Sequence, residues 1–276
     1  MTTWVLLRGL VRERRHWGKF PADFQGEFPN ADIVALDLPG NGTLYREPSP
    51  TSVEEMAQFC RQELTRRGLP PPYRLLALSL GAMVAVAWSV QHPQEVEACV
   101  LINTSLRPLN PFYRRLRPHN YLKLIGMLYR DLAWRERVIL QLTSCRADIY
   151  AAVVDDWIAF QREFPVSRRN AMRQLLAAMH YVAPRSKPPT PILVLGSTQD
   201  RLVDSRCSRQ LVQQWQTESA FHPTGGHDLP LDDGPWIARS VKAWLTAKDN
   251  AAARIGVSST GAPEVIIATP QLASKE

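Results

Sequence analysis

Between residues 73 and 88 the chain runs apolar, breaks at Ser79, passes Gly81 and turns apolar again. Tyr73 to Leu78 has the length and apolar density of a buried parallel strand, whereas Leu80 to Gln91 reads as an alanine-rich helix that stops at His92 and Pro93. A serine at a strand-to-helix turn projects its hydroxyl from the carboxyl end of the strand, beside backbone N–H groups that the first helical turn leaves without partners. Gly81 and Ala82 are small enough to let helix and strand approach closely. The plain alternative for Ser79 is a packing serine in a turn of an alanine-rich core.

Further apolar runs predict strands at about 4 to 8, 32 to 37, 97 to 102, 191 to 196 and 218 to 222. Helical patterns lie near 52 to 67, 80 to 91, 205 to 216 and 234 to 246. Strands alternating with helices predict an α/β fold, a mostly parallel sheet covered by helices on both faces. At 276 residues and 45% hydrophobic content the chain can bury such a core.

Chemistry-bearing residues recur at the ends of these strands. Asp200 follows the strand at 191 to 196, and Gly225 and Gly226 shape a loop that presents His227. Asp204 and Asp228 compete with Asp200 as the acid, and His222 competes with His227 as the base. Gly9 follows the first strand, with Trp17 eight residues on, and Asp37 to Gly42 makes a glycine-bearing turn after the second.

Together these segments resemble the α/β-hydrolases. Ala77 to Gly81 is similar to the G-x-S-x-G nucleophile elbow, with alanine at the first glycine, and the order Ser79, Asp200, His227 is that of the family. Arg8 and Gly9 stand where the family has the histidine and glycine of its oxyanion loop. Arg8 is therefore expected either to bind a substrate carboxylate or to restrain the loop. The resemblance implies Ser79 as nucleophile, His227 as base, Asp200 as its orienting acid, and the backbone N–H groups of Leu10 and Leu80 as the oxyanion hole. It further implies a serine hydrolase acting on a carboxylic ester or thioester, similar to pimeloyl-acyl-carrier-protein methyl ester esterases. A catalytically weak binding or regulatory protein is the alternative, kept open by Arg8 and Ala77. Because the first strand already carries the oxyanion turn, the antiparallel strands that usually precede it have no room, and a sheet of about six strands is expected.

Three parts are expected: a core from 1 to 102 and 188 to 247, a helical lid from 103 to 187, and a mobile tail from 248 to 276. The lid patterns fall at 134 to 142, 148 to 164 and 167 to 181, where the family inserts its cap. A few of the lid's aromatic residues are expected to line an acyl pocket.

The lid carries 15 of the 33 basic residues but only 6 of the 26 acidic ones, so it holds all of the net charge of +7. A basic entrance suits an anionic or carrier-linked acyl substrate or an acidic partner; acyl carrier protein, coenzyme A thioesters and anionic lipid headgroups all fit it. No nucleic-acid motif accompanies the charge. The four cysteines show no paired spacing, the six histidines no metal-ligand pairing, and no nucleotide-binding loop occurs, so neither metal nor cofactor is expected. No run of ~18 apolar residues would span a membrane. The first ten residues read as a core strand rather than a signal peptide, and the expectation is a cytoplasmic protein.

Overall fold

The computed structural model describes residues 2–127 and 129–258. Six strands, β1 (Thr2–Leu7), β2 (Ala31–Leu36), β3 (Tyr73–Leu78), β4 (Val96–Ile102), β5 (Ile192–Ser197) and β6 (Glu218–His222), form one sheet in the order β2-β1-β3-β4-β5-β6. Every neighbouring pair is parallel. The chain steps outward from β1 to β2, returns to place β3 on the other side of β1, and then proceeds one way. Strand order thus reverses between β1 and β3. In open parallel sheets such a reversal leaves a crevice beyond the carboxyl ends of the strands, where loops diverge and ligands bind.

Helices cover both faces. Helix α1 (Phe20–Glu27), α2 (Val53–Arg66) and α3 (Leu80–Gln91) connect the first four strands. The connection from β4 to β5 carries α4 (Phe112–Arg115), α5 (Tyr121–Gly126), α6 (Leu132–Thr143), α7 (Tyr150–Glu163) and α8 (Arg168–His180). After β5 come α9 (Arg206–Trp215) and, after β6, α10 (Leu229–Ser258). Side chains alternate across the strands, and both sets are apolar because both faces are covered. Val5, Leu75 and Cys99 join the cluster beneath α2, α3 and α9. Trp4, Leu76 and Val100 join the cluster beneath α1 and α10. In α2 the buried Val53, Met56, Ala57, Cys60 and Leu64 recur at helical spacing, and Ser52 caps the helix by accepting the Glu55 N–H at 3.2 Å.

Two helices differ from the sequence-based expectation by more than a residue or two. Helix α1 contains Pro21 and Gly26, which mask its periodicity; it forms because Phe20 and Phe24, one helical turn apart, are both buried in the face shared with α10. Helix α10 begins at Leu229 and breaks at Asp233, just before Gly234 and Pro235; the Asp233 carboxylate then accepts the Trp236 N–H at 3.0 Å and restarts the helix. The tail expected from 248 onward is helical as far as Ser258, and its remainder lies outside the described residues. Within the long connection, α6 and α7 share an apolar cluster of their own, built on Leu140, Val154, Trp157 and Ile158. Ala177 of α8 packs instead into the cluster of the sheet.

Candidate active site

Ser79 occupies the turn between β3 and α3 with φ 56° and ψ −114°. A non-glycine residue with positive φ is strained, and it persists only where its surroundings hold it. Here the Ser79 N–H donates to the Ile102 carbonyl at 3.0 Å, and the Thr104 hydroxyl donates to the Ser79 carbonyl at 3.1 Å. The close approach foreseen at Gly81 is present: a Cβ there would strike the Leu7 carbonyl oxygen and lie 2.7 Å from that of Arg8. Only glycine lets α3 start so near the end of β1. Leu80 is the first residue of α3, so its N–H has no partner within the helix.

The loop after β1 meets this turn. A Cβ on Gly9 would lie 3.3 Å from the Ser79 Cβ, which puts the Gly9 backbone directly against the serine. The Arg12 N–H donates to the Gly9 carbonyl at 3.3 Å, closing a turn in which Val11 has φ 60°. A β-branched residue resists that conformation, so the turn needs external support. Gln174 of α8, fully buried, supplies it: its carbonyl oxygen accepts the Val11 N–H at 2.8 Å. Its amide nitrogen donates to Asn41 Oδ1 at 2.9 Å and to Ser49 Oγ at 3.0 Å.

Asp200 follows β5, and its two carboxylate oxygens have separate tasks. Oδ1 accepts the N–H groups of Leu202 and Val203 at 2.8 and 2.9 Å, while Oδ2 lies 2.7 Å from His227 Nδ1. An ionised carboxylate only accepts, so this contact places the imidazole proton on Nδ1 and leaves Nε2 with a lone pair. Burial alone would depress the His227 pKa; the charge of Asp200 and its hydrogen bond outweigh it, with a smaller contribution from Asp228, and the pKa lies above the ordinary imidazole value.

The loop bearing His227 is pinned from several sides. Asn103, at the end of β4, donates to the carbonyls of Gly226 and His227 at 3.1 and 2.9 Å and accepts the Ser197 N–H at 2.7 Å. Asp232 accepts the N–H groups of Gly226 and Cys145 at 2.7 and 2.9 Å. The Asp228 N–H donates to the carbonyl of Thr143, the last residue of α6, at 2.6 Å. His222, the rival base, serves this loop too: its Nδ1 accepts the Gly225 N–H at 2.7 Å, and its Nε2 faces Asp233.

The rival acids are engaged elsewhere. Hydrogen bonding from Arg206 draws the Asp204 carboxyl down to about 2. Asp228 forms a bidentate pair with Arg8, at 3.0 and 2.6 Å, and both side chains are buried. The Arg8 guanidinium also lies over the Trp17 ring, 4.9 Å from its centroid. Of the two roles expected for Arg8, the observed contacts are those of a restraint: they lock the β1 loop to the residue beside His227.

Ser79 and His227 line one cavity of about 170 Å³, together with Arg8, Leu10, Arg12 and Asp228. Its apolar wall comes from Leu124, Met127, Ile139 and Leu142 of the long connection and from Leu202. The expectation that aromatic residues of the connection would line it differs from this wall, which is aliphatic. Trp157 and Phe160 instead pack against His16.

A family model, that of the alpha/beta hydrolase family, matches residues 4–239. The chain belongs to this family. Among curated proteins it is 25% identical over 211 residues to "Putative carbamate hydrolase RutD" of Serratia proteamaculans (strain 568), a match covering 75% of this chain and 78% of that protein. Among solved structures, 2-hydroxy-6-oxo-6-phenylhexa-2,4-dienoate hydrolase of Rhodococcus sp. strain RHA1 superposes with a TM-score of 0.72 at 17% identity, covering 89% of this chain and 90% of that one. The esterase RhEst1 of Rhodococcus sp. ECU1013 gives 0.71 at 17% identity, with the same coverage. Likeness at these identities concerns the fold.

In this α/β-hydrolase the residues that sequence reasoning missed are those that support the site. Asn103, Gln174 and Asp232 are buried polar side chains whose partners lie on other elements. The one sequence signal for Asn103 was its place directly after the apolar run of β4. Among the described residues no group of three His, Cys, Asp or Glu side chains converges as metal ligands, and no helix is long and apolar enough to cross a membrane. Cys60, Cys99 and Cys207 are buried free thiols, pushed up to about 12 by burial.

Proposed function

We propose that the protein is a serine hydrolase that cleaves a carboxylic ester or thioester through an acyl-enzyme. The observation that carries this reading is the 2.7 Å contact between Asp200 Oδ2 and His227 Nδ1, with His227 and Ser79 on the wall of the same cavity. Ser79 Oγ attacks the carbonyl carbon of the substrate while His227 Nε2 accepts the hydroxyl proton. Asp200 holds the imidazole in the required tautomer and stabilises its protonated form. The carbonyl oxygen, now an anion, meets the N–H groups of Leu80 at the start of α3 and of Leu10 in the β1 loop. Collapse of the intermediate expels the alcohol or thiol, which takes the proton from His227. Water then repeats the sequence on the acyl-enzyme, with His227 as base again, and releases the acid.

In this reading the connection from 103 to 187 acts as a lid, because residues of α5 and α6 supply apolar wall to the cavity that Ser79 lines. That wall suits an apolar acyl group. A carrier-linked substrate rests only on the basic charge of the connection. The alternative, a catalytically weak binding or regulatory protein, rests on Arg8 and Ala77; of these Arg8, although on the cavity wall, has its guanidinium paired with Asp228 and stacked on Trp17.

The test is to treat the protein and its Ser79→Ala variant with a fluorophosphonate and weigh both intact. One adduct on the wild type and none on the variant is expected. A folded wild type that takes no adduct would overturn the hydrolase reading in favour of the binding protein.

A further inference from the structure

Residues 103 to 130 contain six basic side chains, Arg107, Arg114, Arg115, Arg117, Lys123 and Arg130, and no aspartate or glutamate. None of the six forms an ion pair among the described residues. The same stretch holds five of the nine large hydrophobic side chains that stand exposed among the described residues: Phe112, Tyr113, Leu122, Ile125 and Tyr129. Leu122 and Tyr129 are each 83% exposed. Scattered apolar residues are ordinary on a protein surface; this concentration within one short segment is not.

Its position gives the segment a direction. Leu124 of α5 and Met127 directly after it line the cavity that holds Ser79 and His227, whereas Leu122 and Ile125 of α5 stand in solvent. Helix α5 is therefore apolar on both sides, toward the cavity and away from it. The segment ahead of it is seated on the loop that follows Asp200: the Arg117 N–H donates to the Leu202 carbonyl at 3.1 Å, and Asn120 Nδ2 to the Arg201 carbonyl at 2.7 Å. The exposed face is thus fastened beside the mouth of the site.

We propose that this face docks the protein on an anionic lipid surface. Leu122, Ile125 and Tyr129 would enter the boundary between headgroups and acyl chains, and Lys123 and Arg130, each adjacent to one of them, would meet the lipid phosphates. A short segment, helix α5 and the turn after it, that mixes aliphatic, aromatic and basic groups suits a fluid surface that accepts apolar insertion and positive charge together. An acidic protein would satisfy the charge but leave no use for the aliphatic side chains. Docked in this way, the protein presents the apolar path along Leu124 and Met127 to an acyl chain leaving the lipid. That last step rests on the proposed hydrolase reading, whereas the docking does not.

Binding is therefore measured on the full chain carrying Ser79→Ala, by sedimentation with vesicles of phosphatidylcholine alone and of phosphatidylcholine mixed with phosphatidylglycerol. The mixed vesicles are expected to bind at least about tenfold more tightly. Leu122→Ser with Ile125→Ser is expected to lose roughly tenfold of that affinity. Lys123→Glu with Arg130→Glu should abolish the preference for phosphatidylglycerol. In protein with Ser79 intact, the Leu122→Ser, Ile125→Ser pair should leave hydrolysis of a soluble short-chain ester unchanged. Equal binding to both vesicle types would overturn the proposal. So would undiminished binding of the Leu122→Ser, Ile125→Ser variant together with equal competition by soluble polyglutamate, since that pattern marks a site for acidic polymers. Vesicle binding together with no fluorophosphonate adduct on the folded wild type would leave the docking standing and remove the hydrolase reading; a labelled Ser79 with no vesicle preference would do the reverse.

Discussion

Arg8 and Asp228, 220 positions apart in the chain, meet as a buried bidentate ion pair that joins the loop beside Ser79 to the loop that presents His227. A buried pair of this kind adds little stability over an apolar replacement, but breaking it strands a charge out of water. Its value here is geometric, because the two loops supply different parts of one site.

Removing one partner should therefore be costly. Arg8→Ala and Asp228→Ala are each expected to lower the unfolding free energy by about 3–5 kcal/mol. An Arg8→Met, Asp228→Leu double variant should recover much of that loss while hydrolysis stays impaired. Chemical denaturation of the three variants, with ester turnover alongside, checks this; additive losses in the double variant would show that the pair is not the coupling element.

The pH profile follows from the environment of His227. In the proposed mechanism only the neutral imidazole accepts the Ser79 proton, and Asp200 raises the pKa of His227 against the opposing effect of burial. Activity should thus fall as pH drops through a value above ~6.5, the ordinary imidazole pKa. Asp200→Asn removes the charge and offers His227 Nδ1 an amide that can donate, favouring the wrong tautomer, so kcat should drop by roughly 10,000-fold and the acid limb should move to lower pH. Asp204→Asn, a change in a carboxylate engaged by Arg206 and the Arg206 N–H rather than by His227, should leave kcat within about twofold. A pH series of kcat/KM for the three proteins decides the assignment.

Gln174 is a positioning residue for the β1 loop. Gln174→Ala releases the Val11 N–H and the strained turn around it, so kcat should fall roughly 10- to 100-fold with KM little changed. Val11→Gly accepts φ 60° without strain and should restore part of the loss in the double variant. A purely structural role would lower thermal stability with no split between kcat and KM and no rescue.

Gly81→Ala drives a Cβ into the Leu7 and Arg8 carbonyls. The helix must move away from β1, which is expected to cost about 1–3 kcal/mol and to displace the Leu80 N–H from the site. Ala77→Gly, at the elbow position that departs from the family motif, lies in a strand and removes a fully buried methyl, so it should lower stability modestly and leave the fluorophosphonate adduct intact. Thermal unfolding and intact-mass labelling of both variants give the answer.

The strands β1 to β5 were legible because each is a largely apolar run of the length a doubly covered sheet demands, and β3 and β6 have the bounds read from the sequence. The helices α6, α7 and α8 carried their own period, whereas α1 did not, with proline and glycine inside it and little beyond Phe20 and Phe24 to mark its buried face. Ser79, Asp200 and His227 stood out because each follows a strand and two of them sit beside glycines. None of that indicated what Arg8 would face, or that the cavity wall would be aliphatic while the aromatic residues of the connection packed elsewhere.

The sequence by itself determined the alternation of strands and helices, the serine at its strand-to-helix turn and the basic excess between β4 and β5. These are local properties, set by side-chain polarity at periods of two and 3.6 and by the conformational freedom of glycine. Only the tertiary structure decided that Gln174 would hold Val11 and Arg8 would hold Asp228, pairs 163 and 220 positions apart. A buried polar group takes whatever partner the folded path brings within about 3 Å, and the path is set by packing of the whole sheet rather than by the residues that meet there.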